Sequence, residues 1–274
     1  MVLTSYSGYS TCMTESNDFS PPSPQVRADL VSFLEQDETL MGEVYRKKRD
    51  GVSNDDIQKA QGAAYPNFIS NYQRHIRSLL EGDIAKKISI LNETAVHFRR
   101  ALKYPLISND TKVYLNLGLQ EIEERKSDSG LVEKTTKQVL KSSDALEKSF
   151  TPGIYVYSLM HYLNYPYHPD SGRTLMKVGK SDRDVITRFR EQTRTTALPE
   201  EPVLLRIYEN TNSGSELNEV EKMFHSLLEA ADHDRSTART GGTEWFLTSL
   251  KFLDKVADTL KMNITRNLES ESEE

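Results

Sequence analysis

The stretch Gly153-Ile154-Tyr155-Val156-Tyr157-Ser158-Leu159 decides the fold. It is β-branched and aromatic with turn residues on both sides, which predicts a strand carrying Tyr155 and Tyr157 on one face. Downstream, the run from Tyr165 to Gly172 is a turn cluster, and residues 175–178 predict a second strand ending at Gly179. Residues 184–193 predict a helix and 203–208 a third strand. Residues 215–231 form an amphipathic helix with Leu217, Val220, Phe224, Leu227 and Leu228 on one face. After a loop through Gly241-Gly242, residues 244–248 are strand-like and 249–260 helical. This order indicates an α+β domain over 151–262, a small three-stranded antiparallel sheet flanked by helices.

Upstream the texture is different. Residues 1–26 are rich in Ser, Thr, Tyr, Pro and Gly without apolar period, and are expected to be disordered. Residues 27–126 predict an all-α domain: Leu30, Phe33, Leu34, Leu40 and Val44 recur at helical spacing. A helix capped by Ser53 runs through Ile57 to Gly62, and another from Pro66 carries Ile69, Tyr72, Ile76 and Leu79. Two more are expected near 84–102 and 110–125. Polar, Ser/Thr/Lys-rich residues 127–150 are expected to be a linker with partial helicity, and 263–274 an acidic tail.

The length of 274 residues allows two domains, and 36% apolar with 28% charged residues excludes wholesale disorder. No apolar run reaches the roughly 20 residues of a membrane helix, so no membrane partner is expected. A lone Cys12 excludes an intramolecular disulfide and a multi-cysteine zinc site, which favours a reducing, intracellular (cytoplasmic or nucleoid-associated) setting. The net charge of −6 divides as 20 Lys+Arg against 21 Asp+Glu in residues 1–150, 15 against 16 in 151–268, and four carboxylates in the last six residues. A near-neutral body neither requires nor excludes a DNA partner. Oligomeric state has no signature in the sequence.

Gly153-Ile154-Tyr155, then Lys177-Val178-Gly179-Lys180-Ser181, Arg188 on the next helix, the Glu221-x-x-x-His225 pair, and Glu244-Trp245-Phe246 together resemble the GIY-YIG nuclease superfamily, most closely its T5orf172-type branch. The resemblance covers about residues 151–248. It implies a DNA endonuclease that hydrolyses phosphodiesters with a divalent metal, Mg²⁺ or alternatively Mn²⁺. Such chemistry needs a base, cationic donors for the developing charge and a carboxylate-held metal. By resemblance, Tyr155 would position or deprotonate the water, helped by Lys177 or Lys180, because a phenol of pKa near 10 needs a neighbouring cation. Arg188 would fork onto the scissile phosphate, Glu221 would be the only protein ligand of the metal, and His225 would relay a proton or touch the phosphate. Lys177 stands where the family usually has its second tyrosine, which leaves Tyr155 and Tyr157 as rival phenols. Gln192 stands where many members carry histidine. The segment between Tyr155 and Lys177 exceeds the usual hairpin, so residues 162–173 form a longer loop that either contacts DNA or is a floppy insertion.

In the helical half, the Ser53-capped helix, Gly62 and the following helix resemble the start of a helix-turn-helix. Asn67, Asn71, Arg74 and Arg77 lie opposite its apolar stripe, and Arg46-Lys47-Lys48-Arg49 supplies four consecutive cations. These residues would contact DNA; an ordinary helical bundle that binds another protein fits the same pattern. The expected function is therefore a metal-dependent DNA endonuclease targeted by an N-terminal helical domain. Its rival is a catalytically weak or inactive nucleic-acid-binding or protein-interaction module of the same fold.

Overall fold

A computed structural model describes residues 19–61, 68–147, 152–182, 184–195, 198, 200–209, 216–233 and 244–265. Of the disorder expected over residues 1–26, the part at 1–18 lies outside these residues, as do the turn at Gly62, the DNA contact Asn67, the Gly241-Gly242 loop and residues 266–274 of the acidic tail; residues 24–26 instead form the first turn of a helix capped by Ser23, with Val26 buried.

Seven helices among the described residues precede the first strand: α1 (Pro24–Gln36), α2 (Leu40–Arg49), α3 (Asn54–Ala60), α4 (Phe68–Glu81), α5 (Ile88–Leu102), α6 (Asn109–Lys126) and α7 (Ser129–Leu146). Their starts follow from side chains that satisfy first-turn N–H groups. Ser23 accepts from Val26 ahead of a proline at the first helical position, Ser53 accepts from Asp56, and Ser108 accepts from Thr111. Leu30, Leu34, Leu91, Phe98, Leu115 and Ile122 are fully buried in one core that unites α1 to α6. Gly118 permits a close approach within it, because a Cβ there would lie 2.3 Å from the Phe98 ring.

The C-terminal half runs β1 (Gly153–Leu159), α8 (Met160–Asn164), β2 (Thr174–Ser181), α9 (Val185–Thr195), β3 (Pro202–Glu209), α10 (Leu217–Ala230), β4 (Trp245–Thr248), α11 (Leu250–Thr259) and β5 (Asn263–Thr265). The sheet is antiparallel with five strands in the order β4-β2-β1-β3-β5, not three. The added strands are the edges. β4 is the strand-like stretch expected at 244–248, which joins the sheet at its edge, whereas β5, with three residues, is too short to show an alternation and occupies the start of the expected acidic tail.

Central β1 is buried along its whole length because both faces are covered. Ile154 and Val156 pack with Val178, Phe224, Leu228 and Phe246 beneath α10 and α11. Tyr155 and Tyr157 pack on the other face with Val185, Ile186 and Phe189 of α9 and Leu146 of α7. Gly153 is required by crowding, since a Cβ there would meet the Tyr208 carbonyl oxygen at 2.4 Å.

Residues 127–150, expected as a linker, contain the 18-residue helix α7, started by the Asp128 carboxylate on the Leu131 N–H. It belongs to the sheet. The β1–β3 register shifts between Val156 and Tyr157, and the Ser143 hydroxyl accepts from the Leu204 N–H at 2.9 Å beside this bulge. The loop at 162–173 is likewise anchored. Asn92 donates to the Leu163 carbonyl at 3.1 Å, Arg99 to the Pro169 carbonyl at 3.0 Å, and Lys103 pairs with Asp170 at 2.9 Å. It joins α5 to the sheet domain, while Tyr165 and Tyr167 remain exposed.

Candidate active site

Gly179 and Tyr155 sit directly opposite each other in the β1–β2 ladder. A Cβ on residue 179 would lie 2.7 Å from the Tyr155 hydroxyl oxygen, so the glycine makes room for the phenol. This pairing is the physical link between the Gly-Ile-Tyr and Lys-Val-Gly stretches. Tyr155 and Tyr157 stack with centroids 6.2 Å apart, and Trp245 meets Tyr157 edge-on at 5.6 Å. The Lys177 ammonium lies 5.6 Å from the centre of the Tyr157 ring and pairs with Glu244 at 3.1 Å.

Position on α10 brings Glu221 to the same place. Beyond Lys177, β2 has no β4 residue opposite it in the ladder, and side chains of α10 take the Val178 carbonyl and the Lys180 N–H. The His225 Nε2 bonds to the Val178 carbonyl oxygen at 3.0 Å, and the Lys180 N–H donates to the Glu221 carboxylate. The i, i+4 spacing of Glu221 and His225 matches the spacing of these backbone groups. Burial holds the Glu221 carboxyl above its ordinary pKa, Glu244 and Asp182 add to this, and Lys180 opposes it. Lys180 itself pairs with Asp182 at 3.1 Å.

α9 supplies the guanidinium. The Asp184 carboxylate accepts from the Ile186 and Thr187 N–H groups and starts the helix, which seats Val185, Ile186 and Phe189 under the phenols. Arg188 is exposed, with Glu191 at 3.8 Å. Both phenols are raised above their ordinary pKa, chiefly by burial and then by Glu244. Arg188 pulls Tyr155 the other way. At neutral pH the two tyrosines are therefore protonated donors.

The structure thus gathers Tyr155, Tyr157, Lys177, Lys180, Arg188 and Glu221 around Gly179. It differs from the expectation in three details. The cation that acts on Tyr155 is Arg188; Lys177 and Lys180 are occupied by carboxylates. The His225 ring is buried against Phe246 with Nε2 on the strand, a place that suits holding α10 to β2 rather than reaching a substrate. Glu244, quoted above only within its motif, is a carboxylate of the site: it touches Lys177 and raises Glu221 and both phenols. Register places it there, because the Val178 N–H donates to the Glu244 carbonyl at 2.9 Å, and no one-strand pattern reveals that.

The expected DNA-contacting cations of the helical half are mostly engaged within it. The Arg46 guanidinium donates to the carbonyls of Leu34, Glu35 and Asp37 and closes the end of α1. Lys47 pairs with Glu43, Lys48 donates to the Val52 carbonyl, and Arg49 pairs with Glu35 and Asp50. On α4, Asn71 and Arg74 line a cavity facing the sheet domain, and Arg77 is exposed, 3.6 Å from Asp83. No helix among the described residues is long and apolar enough to cross a membrane.

No curated protein and no solved structure matches the chain. Residues 154–261, the segment that builds this site, match the model of the T5orf172 domain, so the chain carries a C-terminal T5orf172 domain, a nuclease-related module of the GIY-YIG kind.

Proposed function

We propose that the C-terminal domain is a divalent-metal-dependent DNA endonuclease. The observation that carries this reading is the meeting of a phenol, a guanidinium and a carboxylate held above its ordinary pKa by burial around Gly179, inside the segment that matches the T5orf172 domain. The donor set suits a hard cation. Glu221 and Glu244 hold like charges close together, and neutralising them would relieve the raised pKa of Glu221. Among the described residues no three His, Cys, Asp or Glu side chains converge as a metal cage. An ion held by Glu221 would then take most of its ligands from water and phosphate, as Mg²⁺ does, with Mn²⁺ as the alternative. When bound, such an ion supplies Lewis-acid stabilisation of charge on the departing oxygen.

The chain's own residues supply the rest. The protonated Tyr155 hydroxyl orients the attacking water or a phosphate oxygen. Arg188 presents two N–H donors to the non-bridging oxygens as charge accumulates. Lys177, fixed by Glu244 and the Tyr157 ring, adds positive potential at the same face. In the helical half the exposed Arg49 and Arg77 remain as DNA contacts, rather than Asn71 and Arg74. Nicking of supercoiled plasmid tests the reading. Wild type with Mg²⁺ should cleave, whereas Glu221→Ala, or wild type with chelator, should not. Equal cleavage by wild type and Glu221→Ala refutes it. The second reading, binding without turnover, draws on the buried His225 and the raised phenols; plasmid retardation without nicking under Mg²⁺ or Mn²⁺ would establish it.

A further inference from the structure

Among the described tyrosines only Tyr165 and Tyr167 are exposed, at 51% and 67%. They flank Pro166 in the segment 165–173 that joins α8 to β2, and they belong to none of the buried cores.

A tyrosine on a slack loop asks for no explanation, but this loop is fixed along its length. The Thr174 hydroxyl donates to the Tyr162 carbonyl at 2.8 Å, the His168 N–H to the Arg173 carbonyl at 2.9 Å, and the Arg173 guanidinium to the Asp232 carbonyl at 2.7 Å. Together with the anchors from Asn92, Arg99 and Lys103, these bonds hold both its ends and its tip. Pro166 stiffens the step between the two rings. The phenols are therefore presented in a pre-organised place, where little freedom remains to be lost on binding.

Cations stand around them. The Lys126 ammonium lies 5.8 Å from the centre of the Tyr165 ring. Arg99, Lys103 and Lys126 share the carboxylates of Asp170 and Glu123, and Arg173 is bonded to a carbonyl. Four cations around the loop are thus touched by two carboxylates among the described residues. Glu200 takes the His161 N–H at the far end of α8. A flat exposed ring beside a cation offers a base a stacking partner and its phosphate a counter-charge. Only an unpaired base has a free face to offer in return, because a duplex keeps its bases stacked on one another. The place also suits the site: β2 leaves the loop at Thr174 and reaches Gly179 five residues on, about 17 Å at 3.3–3.4 Å per residue.

We propose that Tyr165 and Tyr167 form a stacking platform for unpaired nucleotides of a DNA strand whose scissile phosphate lies at Gly179. The preferred substrate then carries a single-stranded tract beside the cleavage point. This inference rests on the endonuclease reading above and narrows its substrate.

The test is made on the full-length protein in chelator, at about 50 mM salt, where phosphate contacts are strong. The probes are a fluorescein-labelled oligothymidylate of about 12 nucleotides and a labelled duplex of the same length, read by anisotropy. Tyr167→Ala should weaken the single strand about tenfold and Tyr165→Ala about fivefold, the range of one lost stacked base, and neither should change duplex affinity. Tyr167→Phe should bind as the wild type does, because the ring and not the hydroxyl makes the contact. Tyr167→Trp should also bind, with indole fluorescence quenched beyond that of the wild type as the strand saturates. Unaltered single-strand affinity in both alanine variants overturns the proposal. So does an equal loss for strand and duplex, or a wild type that binds no single strand, which would leave the platform to a protein partner. Plasmid nicking reports separately. A wild type that holds the strand but does not nick refutes the endonuclease reading and leaves the stacking contact. A wild type that nicks, with alanine variants of unaltered strand affinity, refutes the platform alone.

Discussion

Glu221 is held above its ordinary pKa of 4.5, first by burial and then by Glu244, so the folded chain favours its neutral form. Ionised Glu221 therefore costs stability at pH 7, and the cost disappears below about pH 4, where folded and unfolded states are both protonated. Glu221→Gln should raise Tm at pH 7 and raise it less at pH 4. Mg²⁺ should raise the Tm of the wild type and not of the variant. Thermal melts at the two pH values, with and without Mg²⁺, check both statements, and an unchanged or lower Tm for the variant at pH 7 contradicts the electrostatic account. Gly179→Ala tests the neighbouring contact. A methyl 2.7 Å from the Tyr155 hydroxyl must displace a fully buried ring, at a cost of about 1–3 kcal/mol in urea unfolding. At this scale the sequence announces Tyr155, Arg188 and Glu221 through their motifs. It leaves Glu244 as half of a Glu-Trp pair, because the property that matters is its place just ahead of β4, where its carbonyl takes the Val178 N–H and its carboxylate pairs with Lys177.

Elements with strong local signals appear where their composition places them. β1 is a continuous apolar run because both its faces are covered, and α10 carries a full amphipathic stripe. α7 has no such stripe: Val139, Ser143 and Leu146 are its main inward contacts, and one of them acts through a hydroxyl. Ser143→Ala would leave the Leu204 N–H unpaired in a buried place, so chemical denaturation should show a loss of about 1–3 kcal/mol. A loss below about 0.5 kcal/mol would mean that the bulge is satisfied in another way. In the helical half, α1 is tied to α6 by Asp29, which accepts from the Ser108 N–H at 2.9 Å and the Thr111 hydroxyl at 2.6 Å. Those bonds, Ser108 first, hold its pKa down to about 2 from 3.8. A lowered carboxylate pKa gives stability that is present above the unfolded value and lost as pH falls through the folded one. Asp29→Asn should thus cost about 1 kcal/mol at pH 7, the shift being discounted for partial exposure. The difference from wild type should shrink as pH falls below about 4 and be largely gone only once pH drops below about 2, and unfolding curves at pH 7 and across that acid range measure it.

At the scale of the molecule, the two halves meet through a polar seam: α5 holds the 162–173 loop, and Lys251 of α11 reaches Tyr72 of α4. The change in sequence texture at Pro152 marks the start of the sheet, but it does not mark where the sheet's unit of stability begins. Leu146 is 4% exposed in the core that holds Tyr155 and Tyr157, and Ser143 closes the hydrogen bonding of β3. A fragment of residues 150–274 lacks both. It forgoes about 2 kcal/mol of Leu146 burial and about 1–3 kcal/mol for the unpaired N–H, together roughly 3–5 kcal/mol. That is a large part of the 5–15 kcal/mol typical of a whole domain. A fragment of residues 128–274 keeps Asp128, which starts α7, and should approach the unfolding midpoint of the sheet domain in the full chain. The shorter fragment should unfold at a clearly lower urea concentration, with near-ultraviolet dichroism of its buried tyrosines already weakened before denaturant is added. Nicking, if the proposed chemistry holds, should follow the same order, because α7 packs against the strand face that carries the phenols. Equal midpoints for the two fragments would show that α7 only lies against the sheet, and the unit that carries the site would then begin at β1.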